Sequence, residues 1–442
     1  MVYQKICVLG LGYIGLPTAS TFATHGLQVI GVDVNSRVVN TLRSGGLHIH
    51  EPGLRTLVQA ALVSGNLTIA EQPEEADAFI ITVPTPFYED KKADMSYVIA
   101  AAEAIQPVLR AGNLVVLEST SPPRTTVDLL APILERSGLQ AGVDFHLVYS
   151  PERVLPGQIL RELIENVRVI GGINRHSAEA GHDLYNIFVR GEIILTDATT
   201  AEMVKLMENT YRDVNIAIAN EFGRLAERFG VDVWEAIRLA NLHPRVKILR
   251  PGPGVGGHCI SVDPWFLVEA APDLTGLIAT SRRVNDEQPG YVVRLVQRAL
   301  GVDDLPDGLT GKRIALLGLA YKPDVDDLRE SPAIEIAHRL TAAGAVVCAY
   351  EPFKVDAQAP GVAIVPSLEE ALESADLILL LVAHTPLVNL TPQEVSALTP
   401  ARTIADAVNG FPAAAWEAAG FRMFRLGVGN GRKDRSVRDG TG

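Results

Sequence analysis

Cysteine is scarce: Cys7, Cys259 and Cys348 are the only three in 442 residues, and none forms a CxxC pair. That excludes a disulfide framework and a structural zinc site, so each thiol has to be explained singly. Long apolar runs are missing too, because no stretch reaches the roughly 18–20 residues a membrane-spanning helix needs. The opening MVYQKICVLGLGYIG has neither the basic start nor the small-residue cleavage site of a signal peptide, which makes the cytoplasm the expected location. Positive charge is in deficit, with 39 Lys and Arg against 52 Asp and Glu and a net charge of -13. No nucleic acid and no membrane are therefore expected as partners, and an anionic ligand would have to be held by local basic groups. What remains is 47% hydrophobic and 21% charged. That is an ordinary folded composition, in a chain longer than the roughly 250–300 residues at which single cores stop growing.

The segment KICVLGLGYIG is a short apolar run ending in a Gly-rich turn, and LPTASTFATHG after it has the period of a helix stopped by Gly26. Further strands are predicted at LQVIGVDVN, AFIITVPTP, NLVVLEST and FHLVYSPE, with helical patterns at SYVIAAAEAIQPVLRAG and TTVDLLAPILERSG. Strands alternating with helices predict a doubly wound parallel sheet. From Thr200 the pattern turns helical for about thirty residues, VDVWEAIRLANL continues it, and two more helices follow RPGPGVGGHC. The turn-rich LPDGLTG at 305–311 marks a boundary. Beyond it, KRIALLGLAY, GAVVCAYEP and ADLILLLVAHTP overlay KICVLGLGY, GLQVIGVDV and ADAFIITVPTP as an internal repeat. The expected fold is α/β, with two Rossmann-like doubly wound parallel-sheet domains, at 1–199 and 305–427, joined by a central helical domain at 200–304; 428–442 reads as a mobile tail.

Gly10-Leu-Gly12-Tyr13-Ile14-Gly15 follows a strand and opens a helix, so its N–H groups and the helix dipole can hold a pyrophosphate. Asp33 ends the next strand, where a carboxylate accepts the ribose hydroxyls and repels a 2′-phosphate, selecting NAD over NADP. The alternative is a purely structural turn. Thr85 and Thr120 end later strands and are candidate cofactor contacts. In the repeat, Gly318, Ala320 and Pro323 face Gly10, Gly12 and Gly15, so a single dinucleotide site is expected.

Cys7 and Cys348 sit in apolar strands, where a thiol behaves as a small hydrophobe. Cys259 stands instead in Gly254-Val-Gly256-Gly257-His258-Cys259, an exposed-looking turn in which a nucleophile is plausible. His258 beside it does not complete a four-ligand set, and no metal is expected. Lys205, Asn209 and Arg212 share one stripe of the long helix, which reads equally well as a solvated face. Glu152 in YSPERVLPG and Asp263 after the cysteine are loop carboxylates that would not be singled out alone.

Together these motifs resemble the nucleotide-sugar 6-dehydrogenases, the UDP-glucose/GDP-mannose dehydrogenase group. GLGYIGLP, VPTP, EST, SPER, the helix around Lys205 and Asn209, GPGVGGHC with Asp263, and GLAYKPDVDDLRESP at 318–332 stand in that family's order and approximate spacing. PERVLPG, RDVNIAIANE, HPRVKILRPGPGVGGHC and VDPWF are most similar to members acting on UDP-N-acetyl-D-mannosamine. The resemblance implies NAD-dependent, four-electron oxidation of a C6 alcohol to a carboxylate through a Cys259 thiohemiacetal and thioester. It implies Lys205 as acid/base or oxyanion-stabilising group, Asn209 as helping to hold the developing oxyanion, and Asp263 and Glu152 as activating or positioning water. Implied substrate contacts are Arg153, Val154, Lys205, Asn209, Arg212, His243, Arg245, Gly256, Tyr321 and Lys322, and Arg329 would touch the cofactor. The resemblance also implies that 200–304 is a dimerisation domain, that 305–427 binds the UDP-sugar, and that sites are shared between the subunits of a homodimer. UDP-N-acetylglucosamine or UDP-glucose oxidation, and a catalytically inert NAD-binding oligomer, are the competing readings. One departure is visible: where relatives often carry a basic residue in a D-x-(K/R)-G turn, this chain has Asp406-Ala-Val-Asn409-Gly410.

Overall fold

The computed structural model describes residues 3–88, 90–257, 259–303, 305, 307–354 and 357–429. The chain divides into two compact units, Met1–Asn209 with Trp265–Leu274 and Thr210–Pro264 with Thr275–Gly442. The division falls inside the helix Ala198–Phe229, which is the thirty-residue helical run expected from the sequence.

The first unit is built on β1 (Lys5–Leu9), β2 (Gln28–Val32), β3 (Leu67–Ala70), β4 (Ala78–Ile81), β5 (Leu114–Leu117), β6 (His146–Tyr149), β7 (Arg168–Gly172) and β8 (Ile193–Asp197), in the order β3-β2-β1-β4-β5-β6-β7-β8. The expected parallel sheet has one exception: β6 and β7 pair antiparallel, through Val148–Gly172 and Tyr149–Gly171. Both faces are covered, which is why the strands read as continuous apolar runs. Ile6 and Val8 enter one core layer with Val29, Ile80 and Val116, while Cys7 and Leu9 enter the other with Ile30, Phe79 and Val115. Burial pushes the Cys7 thiol up to about 12, so it is an inert core group. Arg124, at φ 72, precedes a π-helical turn at Thr125–Leu130. This wide turn replaces the first part of the regular helix expected over TTVDLLAPILERSG, ahead of Pro132, which has no N–H to donate.

The second unit repeats the topology with β9 (Arg313–Leu317), β10 (Val346–Tyr350), β11 (Ala363–Ile364), β12 (Leu377–Leu380), β13 (Thr403–Asp406) and β14 (Arg422–Arg425), all parallel, in the order β11-β10-β9-β12-β13-β14. After the cysteine loop come three helices rather than two, Asp263–Ala270, Gly276–Asp286 and Gln288–Leu300, because Pro289 starts a new helix where the sequence pattern runs on. The expected tail lies outside the described residues from 430 onward. Its first two residues are anchored: Val428 bridges Asp232 and the Gly429 N–H donates to the Val231 carbonyl. Among the described residues no helix is long and apolar enough to cross a membrane.

Candidate active site

In the first unit the loop after β1 closes tightly. Gly10 has φ +92, and a Cβ on Gly15 would meet the Gly10 carbonyl oxygen at 1.8 Å and Thr82 Oγ1 at 2.4 Å, so only glycine lets the helix start against the strand ends. A Cβ on Gly12 would meet nothing within 4 Å, which leaves room for a ligand over the N-terminus of the helix Gly15–Thr24, preceded by Tyr13 and Ile14. Asp33 follows β2, its Oδ2 accepting from the Leu11 N–H at 3.0 Å and its Oδ1 from Asn35 at 2.8 Å. The carboxylate is thus aimed beside the loop and keeps lone pairs for a ribose. Half-buried Thr85 and Thr120 follow β4 and β5, at the carboxyl edge where such sheets bind ligands. These residues fit NAD.

The same unit brings Glu152, Arg153 and Lys205 together. Lys205 is 8% exposed and donates from Nζ to the Glu152 carbonyl at 2.8 Å, so the solvated-face alternative fails for it. Tyr211 and Ile218, further along that helix, are among its exposed residues. Arg153 pairs with Glu208 at 2.5 Å and donates to the Val167 carbonyl, while Val154 packs against the core. Half-buried Asn209 lies one turn beyond Lys205, and exposed Arg212 follows it.

In the second unit the glycines of the cysteine loop answer to the chain itself. A Cβ on Gly256 would meet the Glu330 carbonyl at 2.4 Å and Tyr321 Cβ at 3.0 Å, and one on Gly257, at φ +83, would meet the Tyr321 ring at 2.9 Å. The loop therefore lies flat on the segment carrying Tyr321 and Lys322, whose Nζ stands 5.6 Å from the Tyr321 ring. Cys259 is exposed, and its carbonyl accepts the N–H of Asp263 at 2.8 Å. Asp263 opens the helix Asp263–Ala270 and is 2% exposed, not the surface-turn residue its sequence context allowed. His243 and Arg245 stand exposed after the helix Val233–Ala240. Arg329 forms a two-point pair with Asp327. In the D-A-V-N-G turn, Asp406 caps the Val408, Gly410 and Phe411 N–H groups, Asn409 has φ 52, and Arg425 donates to the Asn409 side chain at 3.1 Å.

Sequence reasoning missed the groups behind Glu152. Arg168 donates to Glu152 at 2.8 Å and to Glu118 at 3.0 Å, and Tyr185 donates to Glu118. Glu118 lay within the EST motif, but Arg168 opens β7, a strand the apolar pattern did not mark.

The chain matches the UDP-glucose/GDP-mannose dehydrogenase family in its NAD binding domain at residues 4–189, its central domain at 199–287 and its UDP binding domain at 315–412. It is 46% identical over 433 residues to a UDP-N-acetyl-D-mannosamine dehydrogenase of Methanococcus maripaludis, covering 96% of this chain and 97% of that one. Identity is 51% over 392 residues to an NDP-N-acetyl-D-galactosaminuronic acid dehydrogenase of Ralstonia solanacearum, 86% and 91% being covered. The solved UDP-D-ManNAc dehydrogenase of Pyrococcus horikoshii superposes with a TM-score of 0.89 at 41% identity, over 96% of this chain and all of that one.

Proposed function

The chain belongs to the UDP-glucose/GDP-mannose dehydrogenase family as an NAD-dependent nucleotide-sugar dehydrogenase, and from that premise we propose that it oxidises the C6 alcohol of a UDP-N-acetylhexosamine, UDP-N-acetyl-D-mannosamine foremost, to the carboxylate. The observation that carries this reading is the exposed Cys259 one turn before the buried Asp263. A dehydrogenase that stops at an aldehyde or ketone has no use for a thiol, whereas oxidation onward to an acid does.

Gly10, Gly12, Gly15 and Asp33 would hold NAD, and two NAD bound there in succession would each accept one hydride, one per oxidation. Lys205 takes the proton from the C6 hydroxyl as the first oxidation gives the aldehyde. The Cys259 thiolate adds to the aldehyde carbon, its C–S bond forming as the carbonyl electrons move to oxygen, where the Lys205 ammonium and Asn209 stabilise the charge. The second oxidation converts this thiohemiacetal to a thioester. Water directed by Asp263 adds to the thioester as Glu152 takes its proton, the C–S bond breaks and the thiolate leaves, and the acid formed gives up its remaining proton to solvent as the carboxylate. Tyr321, Lys322, Arg153 and Arg212 are assigned to the nucleotide sugar and Arg329 to the cofactor. The cytoplasm, where NAD is plentiful, is the assigned location.

Two NADH should form per UDP-sugar consumed, and Cys259→Ser should lose overall turnover by orders of magnitude while still binding NAD. A stoichiometry of one, or normal turnover of the variant, would sink the thioester route. A panel of UDP-N-acetylmannosamine, UDP-N-acetylgalactosamine, UDP-N-acetylglucosamine and UDP-glucose decides the sugar. We also infer a homodimer in which His243 and Arg245 of one copy serve the site of the other. Mixing inactive Cys259→Ala and Arg245→Ala chains should then restore about a quarter of wild-type activity, because one site of each hybrid is intact. No recovery after confirmed subunit exchange would exclude it.

A further inference from the structure

Behind Glu152 stands a group of ionisable side chains that neither the dinucleotide loop nor the cysteine loop uses. Arg168, the first residue of β7, is the hub: Nη1 donates to Glu118 Oε1 at 3.0 Å and to Ser150 Oγ at 2.8 Å, and Nη2 donates to Glu152 Oε2 at 2.8 Å. The Tyr185 ring lies 4.0 Å beneath the guanidinium, and its hydroxyl donates to the same Glu118 Oε1 at 2.5 Å. The Arg168 side chain is 5% exposed, that of Glu118 0% and that of Glu152 10%. Glu118 Oε2 has no hydrogen-bond partner among the described residues.

One buried cation thus faces a buried carboxylate, Glu118, and a partly buried one, Glu152, and cannot neutralise both. We propose that Arg168 is a positioning residue for Glu152, and that Glu118, competing for the same guanidinium, sets how basic Glu152 is. This rests on the reading in which Glu152 directs water at the thioester. When Glu118 carries a proton, the whole charge of Arg168 falls on Glu152, which is then a firmly held and weak base. When Glu118 is ionised the guanidinium is shared, and Glu152 draws a proton from water more readily. Burial pushes Glu118 up to about 6, against the pull of Arg168 and aided by Glu152, so this exchange falls within the working pH range. The charged or titratable groups facing the cluster are Arg168 from β7, Tyr185 from the helix Arg175–Tyr185, Glu152 from the loop after β6, and Lys205, which binds the Glu152 carbonyl. A purely structural salt bridge would need one carboxylate, not two of which one has an unsatisfied oxygen.

The test is the pH profile of kcat at saturating NAD and UDP-sugar. Wild type should show an acid limb near pH 6. Glu118→Gln should abolish that limb or move it by about one pH unit, and lower kcat at pH 8 several-fold with the KM for NAD unchanged. Tyr185→Phe keeps the ring under Arg168 but removes a bond to ionised Glu118, and should move the limb to higher pH; it serves equally where Glu118→Gln does not fold. Arg168→Lys should lose about tenfold in kcat, because one ammonium cannot hold both carboxylates in the same geometry. Profiles of Glu118→Gln and Tyr185→Phe that coincide with wild type overturn the proposal while leaving the assigned role of Glu152 standing. A Glu152→Gln enzyme with intact turnover overturns both.

Discussion

The two sheets begin with the same unit, and the contrast between those units shows how a fold keeps its backbone and changes its task. Gly10 donates to Val32 O at 2.8 Å, as Gly318 does to Tyr350 O at 2.9 Å, and both glycines have positive φ, +92 and +89. An acid follows the second strand in each. In the first copy Asp33 takes one loop N–H, that of Leu11, and stays half-buried. In the second Glu351, longer by one methylene, takes the Leu319 and Ala320 N–H groups on one oxygen, Phe353 on the other, and a bond to His384 Nε2 at 3.1 Å. Both side chains of that last pair are fully buried. The N–H groups that would greet a pyrophosphate are already satisfied from within. The helix has moved as well: it starts at Gly15 in the first copy but only at Pro332 in the second, with Tyr321, Lys322 and Arg329 on the intervening chain. One loop is left open for a cofactor, and the other has become a rigid base for a segment assigned to the nucleotide sugar.

The comparison breaks most sharply at Gly15. Gly15→Val would drive a side chain into the Gly10 carbonyl and Thr82, so NAD affinity should fall more than about a hundredfold and stability by about 1–3 kcal/mol. Isothermal titration and thermal melting check both, and near-normal affinity would mean that the helix does not start where it is described. Ala320→Gly, the reverse repair in the second copy, should create no NAD site. Next in size is Asp33→Ala, which removes a charged acceptor: NAD should weaken by about tenfold or more and the preference over NADP should relax. An unchanged NAD/NADP ratio of kcat/KM would refute its placement.

How much of this was legible follows from the same two loops. Gly10, Gly12, Gly15 and Asp33 could be read because their constraints are local: a turn, a close approach and a strand end, all within thirty residues. The repeat could be read because both faces of each sheet are covered, leaving continuous apolar runs such as ICVLG and IALLG. Edge strand β8 could not, since Leu195 and Ile194 are exposed and its pattern carries no face. Nor could the partners of Glu152. Glu118, Arg168 and Tyr185 lie 34, 16 and 33 residues from it in sequence, and only the β5, β6 and β7 pairing brings them together. What the glycines of the cysteine loop do was hidden for the same reason, since Gly256 and Gly257 make room for Glu330 and Tyr321, more than sixty residues away.

The smallest effect on NAD, and the most telling for the second loop, belongs to Glu351→Gln. Burial alone would raise this carboxyl, but the His384 bond and the Leu319 and Phe353 N–H groups more than offset it and hold it below the usual carboxylate range. The folded unit therefore binds that proton more weakly than the unfolded chain does. Its stabilisation is complete above the unfolded carboxylate pKa and is lost as pH falls through the lower folded value. His384 takes the Asp324 N–H on Nδ1 at 2.9 Å, which leaves its proton on Nε2, pointed at Glu351. Glutamine can accept on its oxygen but brings an NH2 that faces N–H donors, so one of these bonds must be lost. Glu351→Gln should cost about 1–3 kcal/mol at pH 7 and flatten the acid side of the melting-temperature profile, with NAD affinity unchanged. If the variant melts with the same acid dependence as wild type, Glu351 is not the group that locks the loop. If instead it gains NAD affinity, the second copy has kept a cofactor site that its own acid conceals.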